Sequence, residues 1–168
     1  YRNFVKENKE WLNPYAAFMS IKKLHDDAPI WAWKAKYRQY SEDLLKEKEL
    51  KAEAHFHMYA QFKFFSAWLK LKNYANRRGI QIGGDIPMFG NADSADVWAN
   101  PNYFSVNKDC SINERAGCPP DDSSPGGQDW GVPVFNWGQL KQNDYDWWVK
   151  RMAHCFKLYN FVRVDHFR

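Results

Sequence analysis

The chain has 168 residues, with 24 Lys and Arg against 20 Asp and Glu and a net charge of +4. That length carries one domain with a hydrophobic core. The cations are interleaved with acids along helical stretches, as on a solvated helix face, and this excludes a basic nucleic-acid stripe. No apolar run reaches the length of a membrane span, and no signal-peptide pattern opens the chain. Aromatic residues make up 18% of it, and such rings serve both cores and flat or sugar-like ligands. The three cysteines, Cys110, Cys118 and Cys155, fit no zinc spacing. They read as free thiols in a reducing compartment, the cytoplasm. A Cys110–Cys118 pair is the alternative for a secreted chain. The chain starts at Tyr1 and stops inside an apparent strand, so an internal piece of a longer protein is expected.

Residues 1–25 read as helical, with Asn13-Pro14 as a cap followed by a first-turn proline. Residues 26–40, with Pro29 and the Trp31, Trp33 pair, read as a loop. From Ser41 the chain turns charged and runs into a long helix to about Arg78. There Phe56, Ala60, Phe64, Leu71 and Ala75 form one stripe, and Met58, Phe62, Phe65 and Leu69 an adjoining one. So wide an apolar face predicts burial on more than one side. Gly79 is a stop signal. "IQIGGDIP" then reads as a short buried strand ending at Asp85 and Pro87, the rhythm of an α/β protein. Residues 88–136 show little regular pattern, and a stretch of that length is functional or disordered; its Trp and Phe content favours the first. Asn143 or Asp144 caps a helix from Tyr145 to about Tyr159, Asn160 closes it, and "FVRVDHF" is the second strand.

Alternation along that strand puts Phe161, Arg163, Asp165 and Phe167 on one face and Val162, Val164 and His166 on the other. A cation beside Asp165 favours its ionised form, which a nucleophile or electrostatic stabiliser needs. A structural ion pair reads equally well from the pattern, and a lone His166 reads first as a hydrogen-bonded core residue. Asp85 also ends a strand. In a parallel sheet or barrel such ends face one site, so the two aspartates are predicted to converge; otherwise Asp85 is a turn or cap residue. The two glycines before it suggest close backbone approach. In "GCPPDDSSPGGQDWG", Gln128 and Trp130 offer a polar fork and an aromatic plate suited to a sugar, or decorate an ordinary surface loop.

Taken in order, "ENKEWLNPYAAFMSIK", "GDIP", "DSADVWANP", "AGCPPD", "GQDWGVP", "YDWW" and "VRVDHFR" resemble the amylomaltase family of 4-α-glucanotransferases, the disproportionating enzymes. The resemblance covers nearly the whole chain. It implies an α/β fold: a fragment of a (β/α)₈ barrel with helical and loop insertions around the active site. Residues 1–52 would be a mostly helical insertion region. Residues 53–168 would supply barrel helices and strands with an active-site loop at 88–136. The implied reaction is retaining transfer of an α-1,4-glucan segment from a glucan or malto-oligosaccharide donor to another glucan or to glucose. No cofactor, metal, nucleic acid or membrane is implied. Asp165 matches the nucleophile, Arg163 the arginine that holds it, and Asp85 an aspartate of the same pocket. His166 matches a histidine that binds the sugar. Asp121, Gln128 and Trp130 lie on the segment matching a loop over the acceptor side. Where many members have an aromatic pair after "PPD", this chain has Asp122 and Ser123. The acid/base glutamate and a third carboxylate of the family fall outside the 168 residues, so the chain by itself is expected to be inactive. A non-catalytic glucan-binding barrel and an amylase-type hydrolase remain as alternatives.

Overall fold

The computed structural model describes residues 1–122 and 124–167; Ser123, one of the two residues that stand where many members of the family have an aromatic pair, and Arg168, which closes "VRVDHFR", lie outside the described residues. The first helix, α1, spans Arg2–Leu24 and runs straight through Pro14, so Asn13-Pro14 does not start it. Proline inside a helix costs about 3 kcal/mol. Burial outweighs that cost: Leu12, Ala16, Ala17 and Ile21 are all 0% exposed, and Leu12 and Ile21 together contribute about 3–6 kcal/mol.

The second helix, α2, spans Lys48–Asn76 and lies along α1. Ala54 and Met58 close on Leu12 and Ala16, and Trp11 stacks on Phe65 with ring centres 5.6 Å apart. A Schellman stop ends α2: Ile80 N–H donates to the Ala75 carbonyl and Gly79 N–H to that of Asn76, with Gly79 at φ +74°. Cover is partial on both apolar stripes: Met58, Phe65 and Ala75 are buried, while Leu69 is 39% exposed. Phe56, Phe64 and Leu71 are 61%, 52% and 53% exposed, which departs from the expectation of burial on more than one side. Among the described residues, the partners of α2 lie on the Leu50–Ala54–Met58–Phe65 side.

Between α1 and α2 the chain makes three short 3₁₀ turns, at Ile30–Ala32, Ala35–Tyr37 and Glu42–Lys46. They deliver Trp33 and Tyr37 to the main core. Trp33 indole donates to the Ala28 carbonyl (2.8 Å) and Trp98 indole to that of Tyr37 (2.9 Å). Both indole N–H groups are thus satisfied where water cannot reach them.

Next come β1 (Gly83–Pro87), α3 (Ala95–Ala99), β2 (Arg115–Cys118) and β3 (Gln128–Pro133). Three further elements follow: α4 (Trp137–Gln142), α5 (Asp146–Leu158) and β4 (Phe161–Asp165). The chain is therefore α/β, and β1 and β4 pair in parallel with Asp85 opposite Arg163 and Pro87 opposite Asp165. Neither strand is fully buried as expected. Gly84 alone is buried in β1, because the two-stranded sheet is covered on one side. A Cβ on Gly84 would stand 2.4 Å from the Tyr159 ring, so the glycine does permit close approach.

Residues 88–136 are better ordered than their pattern predicts. Asp93 ties the start of α3 to α1 by accepting from Lys22 (2.7 Å) and from Ile30 N–H (3.2 Å). β2 and β3 form an antiparallel hairpin. The α5 helix is not capped by Asn143 or Asp144. Asp144 and Tyr145 turn left-handed, at φ +50° and +56°, to join α5 to the unforeseen α4, and the Asn143 amide donates to Gln139. Asn160 does not close α5, whose cap is Tyr159: its N–H donates to the Ile82 carbonyl (2.8 Å), and its side chain accepts from Ile82 N–H (2.9 Å) and exchanges two 3.0 Å bonds with Asn76.

Candidate active site

Parallel pairing brings the ends of β1 and β4 side by side, and one guanidinium bridges them. Arg163 Nε donates to Asp85 Oδ1 (2.9 Å) and Arg163 Nη2 to Asp165 Oδ1 (2.7 Å). Both acceptors are carboxylates, so both bonds are charge-assisted. The two acids, Asp85 first, raise the Arg163 pKa above its ordinary value. His166 Nδ1 donates to the other Asp165 oxygen, Oδ2, over 2.8 Å.

Alternation placed His166 on the opposite face, and the structure does not. The strand ends at Asp165, and His166 takes φ +52°. A left-handed residue breaks the pleat, so the imidazole swings back to the carboxylate beside it.

The hairpin closes one side of this cluster. Trp130 of β3 meets the His166 ring edge to face, 4.9 Å between centres, and its indole donates to Gln128 Oε1 (2.9 Å). Phe89 stands 6.1 Å from Trp130 and stacks on Phe135 at 5.7 Å. Phe135 in turn packs against Trp148 of α5 at 5.3 Å. Aromatic contacts thus run without a break from α5 to the histidine. Between hairpin and cluster lies a cavity of about 260 Å³, lined by Phe89, Arg115–Cys118, Trp130, Val134 and His166. Its lining combines the ring faces of Phe89 and Trp130 with the polar groups of Arg115 and His166.

Asp85, Arg163, Asp165, His166 and Trp130 therefore stand together, with Gln128 holding the Trp130 indole. Asp121 is not among the described residues lining the cavity. It sits on the turn between β2 and β3, where its carboxylate accepts from Ser124 N–H (2.7 Å). Asp129, between Gln128 and Trp130, pairs with Arg115 across the hairpin (3.0 Å) and accepts from Gly131 N–H (2.9 Å). Sequence reasoning missed Phe89 and the β2 residues as wall. The available signal was position: Phe89 follows a strand-ending Pro87, and Gly117 marks a close approach.

A family model described as 4-alpha-glucanotransferase matches residues 1–168, and the chain belongs to that family. The 4-alpha-glucanotransferase of Aquifex aeolicus (strain VF5) is 41% identical, over 99% of this chain and 34% of that protein. That of Clostridium butyricum is 39% identical, over 100% of this chain and 35% of that protein. The structure is similar to the amylomaltase of Streptococcus agalactiae, solved in complex with acarbose. The TM-score is 0.91 at 37% identity, over 99% of this chain and 34% of that one. The chain thus spans about a third of the length of these relatives.

Proposed function

We propose that this chain carries the nucleophile half of a retaining 4-α-glucanotransferase active site built on a (β/α)₈ barrel. The supporting observation is the bridge of Arg163 to Asp85 and Asp165 at neighbouring ends of parallel strands, where barrel enzymes carry their chemistry. Asp165 is the nucleophile. Arg163 holds Oδ1 and His166 meets Oδ2, which fixes the carboxylate plane. Each carboxylate oxygen has a second lone pair, so Oδ2 can still attack a glucosyl anomeric carbon. Retention then proceeds through a glycosyl ester that an acceptor hydroxyl opens. In this reading Arg163 engages both carboxylates of the cluster, and the second carboxyl, the acid/base, is one that the family resemblance assigns to residues outside these 168.

Asp85 and His166 bind the hydroxyls of the sugar being transferred. Trp130 offers an aromatic face and Gln128 an amide, with Asp121 on the same loop, to a glucan or glucose acceptor. In the natural polypeptide that carries this sequence, maltotriose should yield glucose together with longer glucans. Asp165→Asn should abolish that transfer, and a variant with normal turnover refutes the assignment. Products of hydrolysis alone, unchanged by added glucose, would replace transferase by hydrolase.

A further inference from the structure

Arg151 lies on α5, outside the Asp85–Arg163–Asp165 cluster, yet it reaches the strand that carries Asp85. Its Nη2 donates to the Pro87 carbonyl (2.6 Å) and its Nη1 to that of Met88 (3.1 Å). The guanidinium also lies over the Trp148 ring, 4.7 Å from its centre. That end of β1 needs a holder. Pro87 faces Asp165 in the ladder but has no N–H to give it, so backbone pairing weakens where the two aspartates must be aligned. A planar fork on two successive carbonyls supplies the missing constraint, and a lysine has no such fork. Burial lowers the Arg151 pKa, opposed by the nearby Asp96 carboxylate and Cys155, so the group is placed at some cost.

We propose that Arg151 is a positioning residue: it fixes the end of β1 so that Asp85 keeps its bond to Arg163, and through Arg163 it orients Asp165. The inference rests on the function proposed above. A 1 Å drift of β1 would carry the 2.9 Å Asp85–Arg163 bond out of hydrogen-bond range.

The test is made in the natural polypeptide with Arg151→Met, which keeps the stem over Trp148, and Arg151→Lys, which keeps the charge. Either should lower kcat on the order of 100-fold, with any rise in KM no larger than that of Asp85→Asn, since Asp85 also meets the sugar hydroxyls. Adding Asp85→Asn to either should cost no more than Asp85→Asn alone. Effects that multiply would show a role independent of Asp85 and overturn the proposal. Crystal structures of both variants decide it separately: loss of the Asp85–Arg163 contact is expected, and its retention overturns the proposal whatever the activity. A wild-type protein without transfer would refute the function and leave that structural result standing.

Discussion

Gly117→Ala is a steric test of the hairpin that walls the cavity. A Cβ at Gly117 would stand 2.1 Å from the Gln128 carbonyl oxygen, a backbone atom. Relief to an ordinary contact of 3.4 Å requires the strands to part by 1.3 Å, the difference of those distances. The Gly117–Asp129 and Cys118–Gln128 pairs cannot survive such a shift. Losing one or two ladder bonds costs about 1 kcal/mol each, and overpacking adds about 1 kcal/mol or more. Because the hairpin stands largely outside the main core, the damage should be local opening. About 2 kcal/mol corresponds to roughly a 30-fold loss of amide-exchange protection. That loss should be seen at residues 115–118 and 128–133, with protection in α1 and α2 unchanged. Sugar affinity should fall with it, since Trp130 leaves His166. Wild-type protection across both strands would refute the steric argument, and a loss spread into α1 would refute its locality.

The remaining predictions draw on other parts of the molecule. His154 packs against Trp11 (5.0 Å) and Phe65 (5.5 Å), and burial, reinforced by Lys157, lowers its pKa below 6.5. The folded state therefore binds fewer protons than the unfolded state, and stability is lost as pH falls through 6.5 toward the folded value. Urea midpoints should drop over that window, and His154→Leu should flatten part of the slope; an unchanged slope refutes the linkage. Trp33→Ala removes an indole 1% exposed and one of the two donors to the Ala28 carbonyl, leaving it Lys22 Nζ. It should cost about 3–5 kcal/mol of unfolding free energy, and less than about 1 kcal/mol would be incompatible with its packing. Trp130→Ala should weaken malto-oligosaccharide binding by calorimetry about tenfold, the scale of one aromatic contact; unchanged affinity would remove Trp130 from the acceptor site.

What the sequence disclosed depended on whether a feature is local. The stop at Gly79 and the helix ahead of it follow from neighbours in sequence, and they hold. The convergence of Asp85 with Asp165 was also legible, because strand alternation and parallel pairing leave one arrangement. Features set by tertiary contact were hidden. Pro14 stays helical because of what packs on the turns around it. The hairpin has a register shift between Arg115 and Gly117, which blurs the alternation that announces a strand. His166 was assigned to the wrong face because a left-handed non-glycine residue carries almost no sequence signal. The α2 stripes gave the width of the apolar face but not which of its residues are covered.

The bridge between Asp85 and Arg163 joins residues 78 positions apart, and this gives the site a history as well as a geometry. α1 and α2 can meet through a strap of about twenty residues. The β1–β4 pair must first close a loop holding the hairpin and three helices, and such distant pairings form slowly. At ordinary synthesis rates Asp85 is added to the chain roughly 4–16 s before Arg163. Through that interval β1 has no β4 to pair with, while Ile80 and Gly83–Pro87 present an unpaired, partly apolar edge. The cluster is therefore among the last features to form on a nascent chain, and β1 is the segment most in need of protection until it does.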